Sequence, residues 1–227
     1  MTATEMRDKF LLGYDKVASL AAPGFINTEI SEFLTIAQER FVKQHYHPRG
    51  NKYQEGYEET EKRKKDISLI VRQGQGTVSA DQTDVLSTNS TIFDLPTDHW
   101  LTTIEWVNTS DNCGTQKTVA PKTHDEYFST IHNPFKKPNS NELWRMDATP
   151  LNGEKRHEVI TDGTYTITNY NFRYIKNLTD ISIDGNVTSE LNSMVHREIV
   201  NMAVTMALEN QQEPRSQTHA QLGGEAE

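Results

Sequence analysis

RHEVITDGTYTITNYNFRYIK, residues 156–176, carries the pattern from which the fold is read. Residues 156–161 and 164–168 flank Asp162-Gly163, a pair that closes two-residue β-hairpins because it tolerates positive φ at both central positions. A hairpin with its tip at 162–163 is expected. Beyond it, Tyr170, Phe172 and Tyr174 alternate with Asn171 and Arg173, the period of a strand with one buried face.

Outward from this stretch, a Thr-, Asn-, Gly- and aromatic-rich composition runs back to Gly74 and on to about Gly185. Residues 99–107 read as a strand, with Trp100 and Trp106 on one face if the pleat is regular. Gly74-x-Gly76 has no Lys behind it, so it is no phosphate cradle and reads as a flexible turn. Residues 120–138 are polar and punctuated by Pro121, Pro134 and Pro138, which predicts a projecting loop. Prolines lower the entropy lost when an arm is ordered, so this loop is expected to touch another chain. Its candidate subunit-interface residues are Phe128, Ile131, Asn133, Pro134, Phe135, Lys136 and Lys137.

On either side the period becomes helical. Phe10, Tyr14, Val17, Ala18 and Ala21 form one stripe, and Thr2 with Glu5 has the spacing of a capping box. After Pro23-Gly24, Asn27 is the expected N-cap of a second helix with Ile30, Phe33, Leu34, Ala37 and Phe41 inward. The short turn between these helices predicts an antiparallel hairpin. Residues 45–56 read as a polar connection. A third helix is expected over 57–71, with Tyr57, Ile67 and Val71 inward and Glu58/Lys62, Glu59/Arg63 and Glu61/Lys65 at i, i+4. A last helix is expected over 193–208, striped by Val195, Ile199, Met202, Ala203 and Met206.

The fold class that follows is α+β: the N-terminal helical hairpin, third helix and C-terminal helix form a bundle, with an inserted antiparallel β-domain. The expected segments are a helical region 1–73, a β-domain 74–190 with the projecting loop 120–138, a C-terminal helix 191–212 packed on the N-terminal helices, and a polar tail 213–227. Leu222 is the tail's one large apolar residue. Such a tail alone cannot offset an ordering cost of roughly 1–2 kcal/mol per residue. It is therefore expected to lie against another chain, with Leu222 in an apolar notch.

Composition narrows the function. Leu, Ile, Val and Phe number 48 of 227 residues, while Thr and Asn reach 26 and 16. The core is thin, or part of the surface is buried by neighbours. A net charge of −9 disfavours sequence-independent DNA binding, which depends on neutralising phosphates. No stretch approaches the roughly 18 apolar residues of a membrane span. The charged first twenty residues do not read as a signal peptide, so the sequons at Asn89, Asn108, Asn177 and Asn186 are expected to stay unmodified. A single cysteine, Cys113, leaves no internal disulfide and suits a reducing compartment.

No nucleophile, phosphate-loop or zinc motif is present. His45/His47 and His124-Asp125-Glu126 are the only near-clusters of metal ligands, and loop hydrogen bonding is the expected role of both. The basic run 62–65 is matched by glutamates and reads as a solvated helix face. A carboxylate-based hydrolase remains as an alternative, and it requires two β-region carboxyls converging in a cleft.

The chain resembles the head-to-tail connector proteins of short-tailed phages, and in particular a ring protein of the crAss-like phages. The resemblance rests on AQERFVKQ at 37–44 followed by GYEETEKR at 56–63, on THDEY at 123–127 with NPF at 133–135, and on RYIK at 173–176 leading through Glu190-Leu191 to HREIV at 196–200. It implies a virion structural subunit without catalysis or cofactor, made in the host cytoplasm. The implied assembly is a homo-oligomeric ring, commonly dodecameric, in the portal–tail connector. Portal protein and other ring proteins are its implied partners, and DNA passes without sequence-specific binding. Another virion subunit, from head decoration or tail, is the nearest alternative.

Overall fold

The computed structural model describes residues 1–17, 24–46, 58–83, 85–110, 116–148 and 153–210. In chain order the elements are α1 (Ala3–Val17), α2 (Asn27–Tyr46), α3 (Glu61–Ile67), β1 (Val71–Val78), β2 (Ser90–Asp94), β3 (His99–Thr109), β4 (Gln116–Pro121), α4 (His124–Ile131), β5 (Glu142–Ala148), β6 (Arg156–Ile160), β7 (Ile167–Lys176) and α5 (His196–Asn210). They fall into two compact units, one of Met1–Ile70 with Leu178–Glu227 and one of Val71–Asn177.

The second unit is a closed seven-stranded barrel in the order β1-β2-β6-β5-β4-β3-β7. This corrects the expectation of a helical bundle with an inserted antiparallel β-domain: the sheet closes on itself, and β4 and β5 run parallel. Helix α4 lies between those two strands in sequence, supplying the crossover that a parallel pair requires. Inside, Phe93, Val107, Val119, Leu143, Val159, Tyr170, Phe172 and Tyr174 fill the barrel.

Three local expectations change with it. Asp162-Gly163 is not a hairpin tip, because β6 pairs with β2 and β5 while β7 pairs with β1 and β3. Only Gly163 has positive φ (81°), and Asp162 Oδ1 instead accepts a hydrogen bond from the Thr164 N–H at 3.0 Å in a local side-chain turn. Gly74-x-Gly76 is no turn; both glycines sit within β1. A Cβ on Gly74 would lie 2.8 Å from Phe172, and one on Gly76 2.8 Å from Tyr170, so the glycines make room for the barrel's aromatics. Register shifts within β3 break the regular pleat that would have put Trp100 and Trp106 on one face.

In the first unit, the capping box at Thr2 and Glu5 forms with both reciprocal bonds, 2.9 and 3.2 Å. Helix α1 buries Met6, Phe10 and Tyr14; Ala18 and Ala21 lie outside the described residues. Asn27 is the first residue of α2 rather than its cap: its side chain donates to Asp184 at 2.7 Å, and Glu29 accepts the Ile26 N–H at 3.0 Å. Helices α1 and α2 each pack mainly on α5 and meet each other through Phe10, Tyr14, Phe25 and Phe33. Val204 of α5 would lie 3.2 Å from a Cβ on Gly13, so that helix pair is close. The buried face of α5 is His196, Ile199, Val200, Ala203, Val204, Ala207 and Leu208, turned away from Met202 and Met206. Helix α3 is shorter than the expected 57–71: it begins after an N-cap at Thr60, gives way to one 3₁₀ turn, Ser68–Ile70, and Val71 already starts β1.

Candidate subunit interface

The expected projecting loop 120–138 contains β4's last residues, helix α4 and a tight turn. Asp125 and Glu126 sit favourably in the first turn of α4, where acids complement the helix dipole. Tyr127 fixes one side of the helix, buried with Trp144, Met146 and Ile160. Trp144 is next to Leu143 on β5, and strand alternation sends Leu143 into the barrel and Trp144 out toward α4. The Tyr127 hydroxyl donates to Leu86 O at 3.3 Å.

That anchorage leaves the other side of α4 facing water. Phe128 is 68% exposed, although its neighbour Tyr127 is buried. After α4, Asn133 builds the turn: its Oδ1 accepts from the Phe135 N–H at 3.0 Å, and its carbonyl accepts from the Lys136 and Lys137 N–H groups at 3.1 and 2.9 Å. With Pro134 fixing φ at the preceding position, Phe135 is lifted to 95% exposure. Lys136 and Lys137 follow it, both exposed. Ile131 differs from its neighbours by packing partly against the Tyr127–Trp144 cluster. Leu222 and the rest of the polar tail lie outside the described residues.

A second cluster carries no sequence motif. Glu105, Arg145, His157 and Tyr170 meet inside the barrel. Arg145 Nη1 must donate, so His157 Nε2 accepts at 2.9 Å and the imidazole proton resides on Nδ1. Nδ1–H donates to Tyr170 Oη at 2.7 Å, which donates to Glu105 Oε2 at 2.6 Å. Arg145 Nε closes the loop as an ion-pair contact 3.1 Å from Glu105 Oε1, while Nη1 donates to Asp147 at 2.6 Å. Burial, with Arg145 and His99 adding repulsion, holds His157 down at about 2, and burial pushes the Glu105 carboxyl above its usual range. His99 is held at about 4, first by burial and then by Lys155 and Arg145. Glu105 and Asp147, the β-region carboxylates brought together here, both contact the Arg145 guanidinium.

Of the two histidine near-clusters, one lies partly outside the described residues. His45 belongs to α2, buried and stacked on Phe41 with Nδ1 2.9 Å from Phe41 O; His47 and Cys113 lie outside the described residues. His124, Asp125 and Glu126 are consecutive helical positions and point apart. Among the described residues no group of three His, Cys, Asp or Glu could hold a metal ion, and no helix is long and apolar enough to cross a membrane. In the basic run, Lys65 pairs with Glu61 at 3.5 Å and Lys62 with Glu198 at 3.6 Å.

The model of the phage tail ring protein 3/4 family matches residues 1–219. Ring protein 4/5 of Bacteroides phage crAss001 is 34% identical over 223 residues, covering 91% of this chain and 92% of that one. Ring protein 3 of the same phage is 30% identical over 197 residues, covering 79% and 83%.

Proposed function

This chain belongs to the phage tail ring protein 3/4 family, and from that premise we propose that it forms a homo-oligomeric ring in the portal–tail connector, sealing the filled head and lining the path by which DNA leaves. The observation that carries this reading is the match to two ring proteins of one phage, the first over nine-tenths of both chains. Two differently numbered ring proteins of one phage thus share sequence with this chain, which supports a ring role for it. Portal protein and other ring proteins are the partners this position supplies, and a dodecamer is the expected copy number. The role calls for no catalysis and no cofactor.

The net charge of −9 supports passage of DNA without retention, provided acids outnumber bases on the axial face. Phe128, Phe135, Lys136 and Lys137 are the proposed contacts to another chain, with Asn133 and Pro134 shaping the turn, Ile131 steadying it, and Leu222 adding a contact from the tail. Electron microscopy of the purified full-length protein, with its particle mass, tests the reading. Closed rings of fixed rotational symmetry are expected; a monodisperse monomer at every concentration, with or without portal protein, would contradict it.

A further inference from the structure

A cyclic ring is built from a heterologous contact, so each subunit must carry two different faces that fit one another. The barrel is closed, which removes strand addition as the means of joining copies and leaves side-chain surfaces. The α4 knob is one such surface. It runs from acidic to basic: Asp125 and Glu126 at its start, exposed Phe128 and Phe135 in the middle, Lys136 and Lys137 at its end. Neither lysine has a side-chain ion pair among the described residues.

The same order, acids before a base, appears on the outward strip of α2. Ile26 is 63% exposed and Ile36 44% exposed, although α2 buries Ile30, Leu34 and Ala37 on its other side. At 3.6 residues per turn, Glu29, Glu32 and Ile36 share one outward strip, and Arg40 continues it, all four exposed. Lys43 lies further along and pairs with Glu39 at 3.0 Å. In order the strip offers Ile26 just before the helix, then Glu29 and Glu32, Ile36 and Arg40. Laid antiparallel, the lysines of the knob meet Glu29 and Glu32, Phe128 and Phe135 meet Ile36, and Asp125 and Glu126 meet Arg40. Exposed aromatics flanked by charge are the usual anchors of such contacts.

We infer that the α4 knob of one copy docks on the outward strip of α2 in the next copy, and that this head-to-tail contact, which rests on the ring reading above, sets the ring. The test is the assembly state of the full-length protein by analytical ultracentrifugation. Lys136→Glu with Lys137→Glu, and separately Glu29→Gln with Glu32→Lys, should each weaken association by at least about tenfold. Gln at position 29 keeps the acceptor for the Ile26 N–H, so the helix start survives. Combining all four changes should restore assembly, since both signs are then exchanged or relaxed. Phe135→Ala should weaken assembly without changing thermal unfolding, because its ring is almost wholly in solvent.

Unimpaired assembly of the lysine variant, or failure of the combined variant to recover, would overturn the pairing. Absence of rings from the unmodified protein would instead sink the ring reading itself, which keeps the two failures apart.

Discussion

Glu105, Tyr170, His157 and Arg145 form a loop of buried polar groups whose value depends on each member keeping its protonation state. His157 is 3% exposed, and its folded pKa of about 2 lies well below its ordinary 6.5. Between those values the unfolded chain binds more protons than the folded one, so stability from the neutral imidazole is complete above pH 6.5 and is lost as pH falls. At pH 4 that loss is about 3 kcal/mol for His157 alone. His99, held at about 4, acts in the same direction over pH 6.5 to 4. Glu105 opposes both: its raised pKa means the folded state accepts its proton more readily on acidification. Urea unfolding at pH 7 and pH 4 checks the balance. His157→Gln should be less stable at pH 7 but lose roughly 2–3 kcal/mol less than the natural chain between the two pH values; an unchanged loss would assign the acid sensitivity elsewhere.

At the level of elements, what was legible depended on whether the signal was local. The strands at 99–107 and 156–161, the alternation of Tyr170, Phe172 and Tyr174, and the capping box at Thr2 and Glu5 are set by neighbours in sequence, and all formed. Asp162-Gly163 failed because a hairpin also needs its flanking strands to pair, and barrel closure gave β6 and β7 other partners. Gly74 and Gly76 were misread for a related reason: their environment is supplied by Phe172, Tyr170 and Phe93, none of them near in sequence. Phe128 and Phe135 stand out as candidate contacts because aromatics in a Pro-rich stretch are a local oddity, and both are exposed. The polar cluster was not found, although strand parity places Glu105 with Val107 and His157 with Val159 once the inward faces are known. The glycine reading is testable. Gly74→Ala would put a methyl 2.8 Å from the fully buried Phe172 ring, 3.1 Å from Tyr174, and should cost about 1–3 kcal/mol in urea unfolding. A neutral effect would mean β1 has room to shift.

At the scale of the whole molecule, the barrel and the helices carry the two halves of the proposed contact on separate units. Within Val71–Asn177 every strand has two pairing neighbours, and the interior is filled by that unit's own side chains, so no ladder hydrogen bond relies on the remainder of the chain. Residues 71–177 expressed alone should therefore fold, with one cooperative urea transition of slope about 1–3 kcal/mol/M. That fragment keeps Phe128, Phe135, Lys136 and Lys137 but lacks α2. It can occupy the strip of a full-length subunit and offers no strip to the next, so it ends a growing arc instead of extending it. Added in increasing molar excess to full-length subunits before assembly, it should lower the fraction of closed rings and leave short arcs, read by mass photometry. The same fragment with Phe135→Ala should be much weaker at doing so, while unfolding at the same urea midpoint. If the folded, unaltered fragment leaves ring yield untouched at saturating excess, the knob is not what joins one subunit to the next.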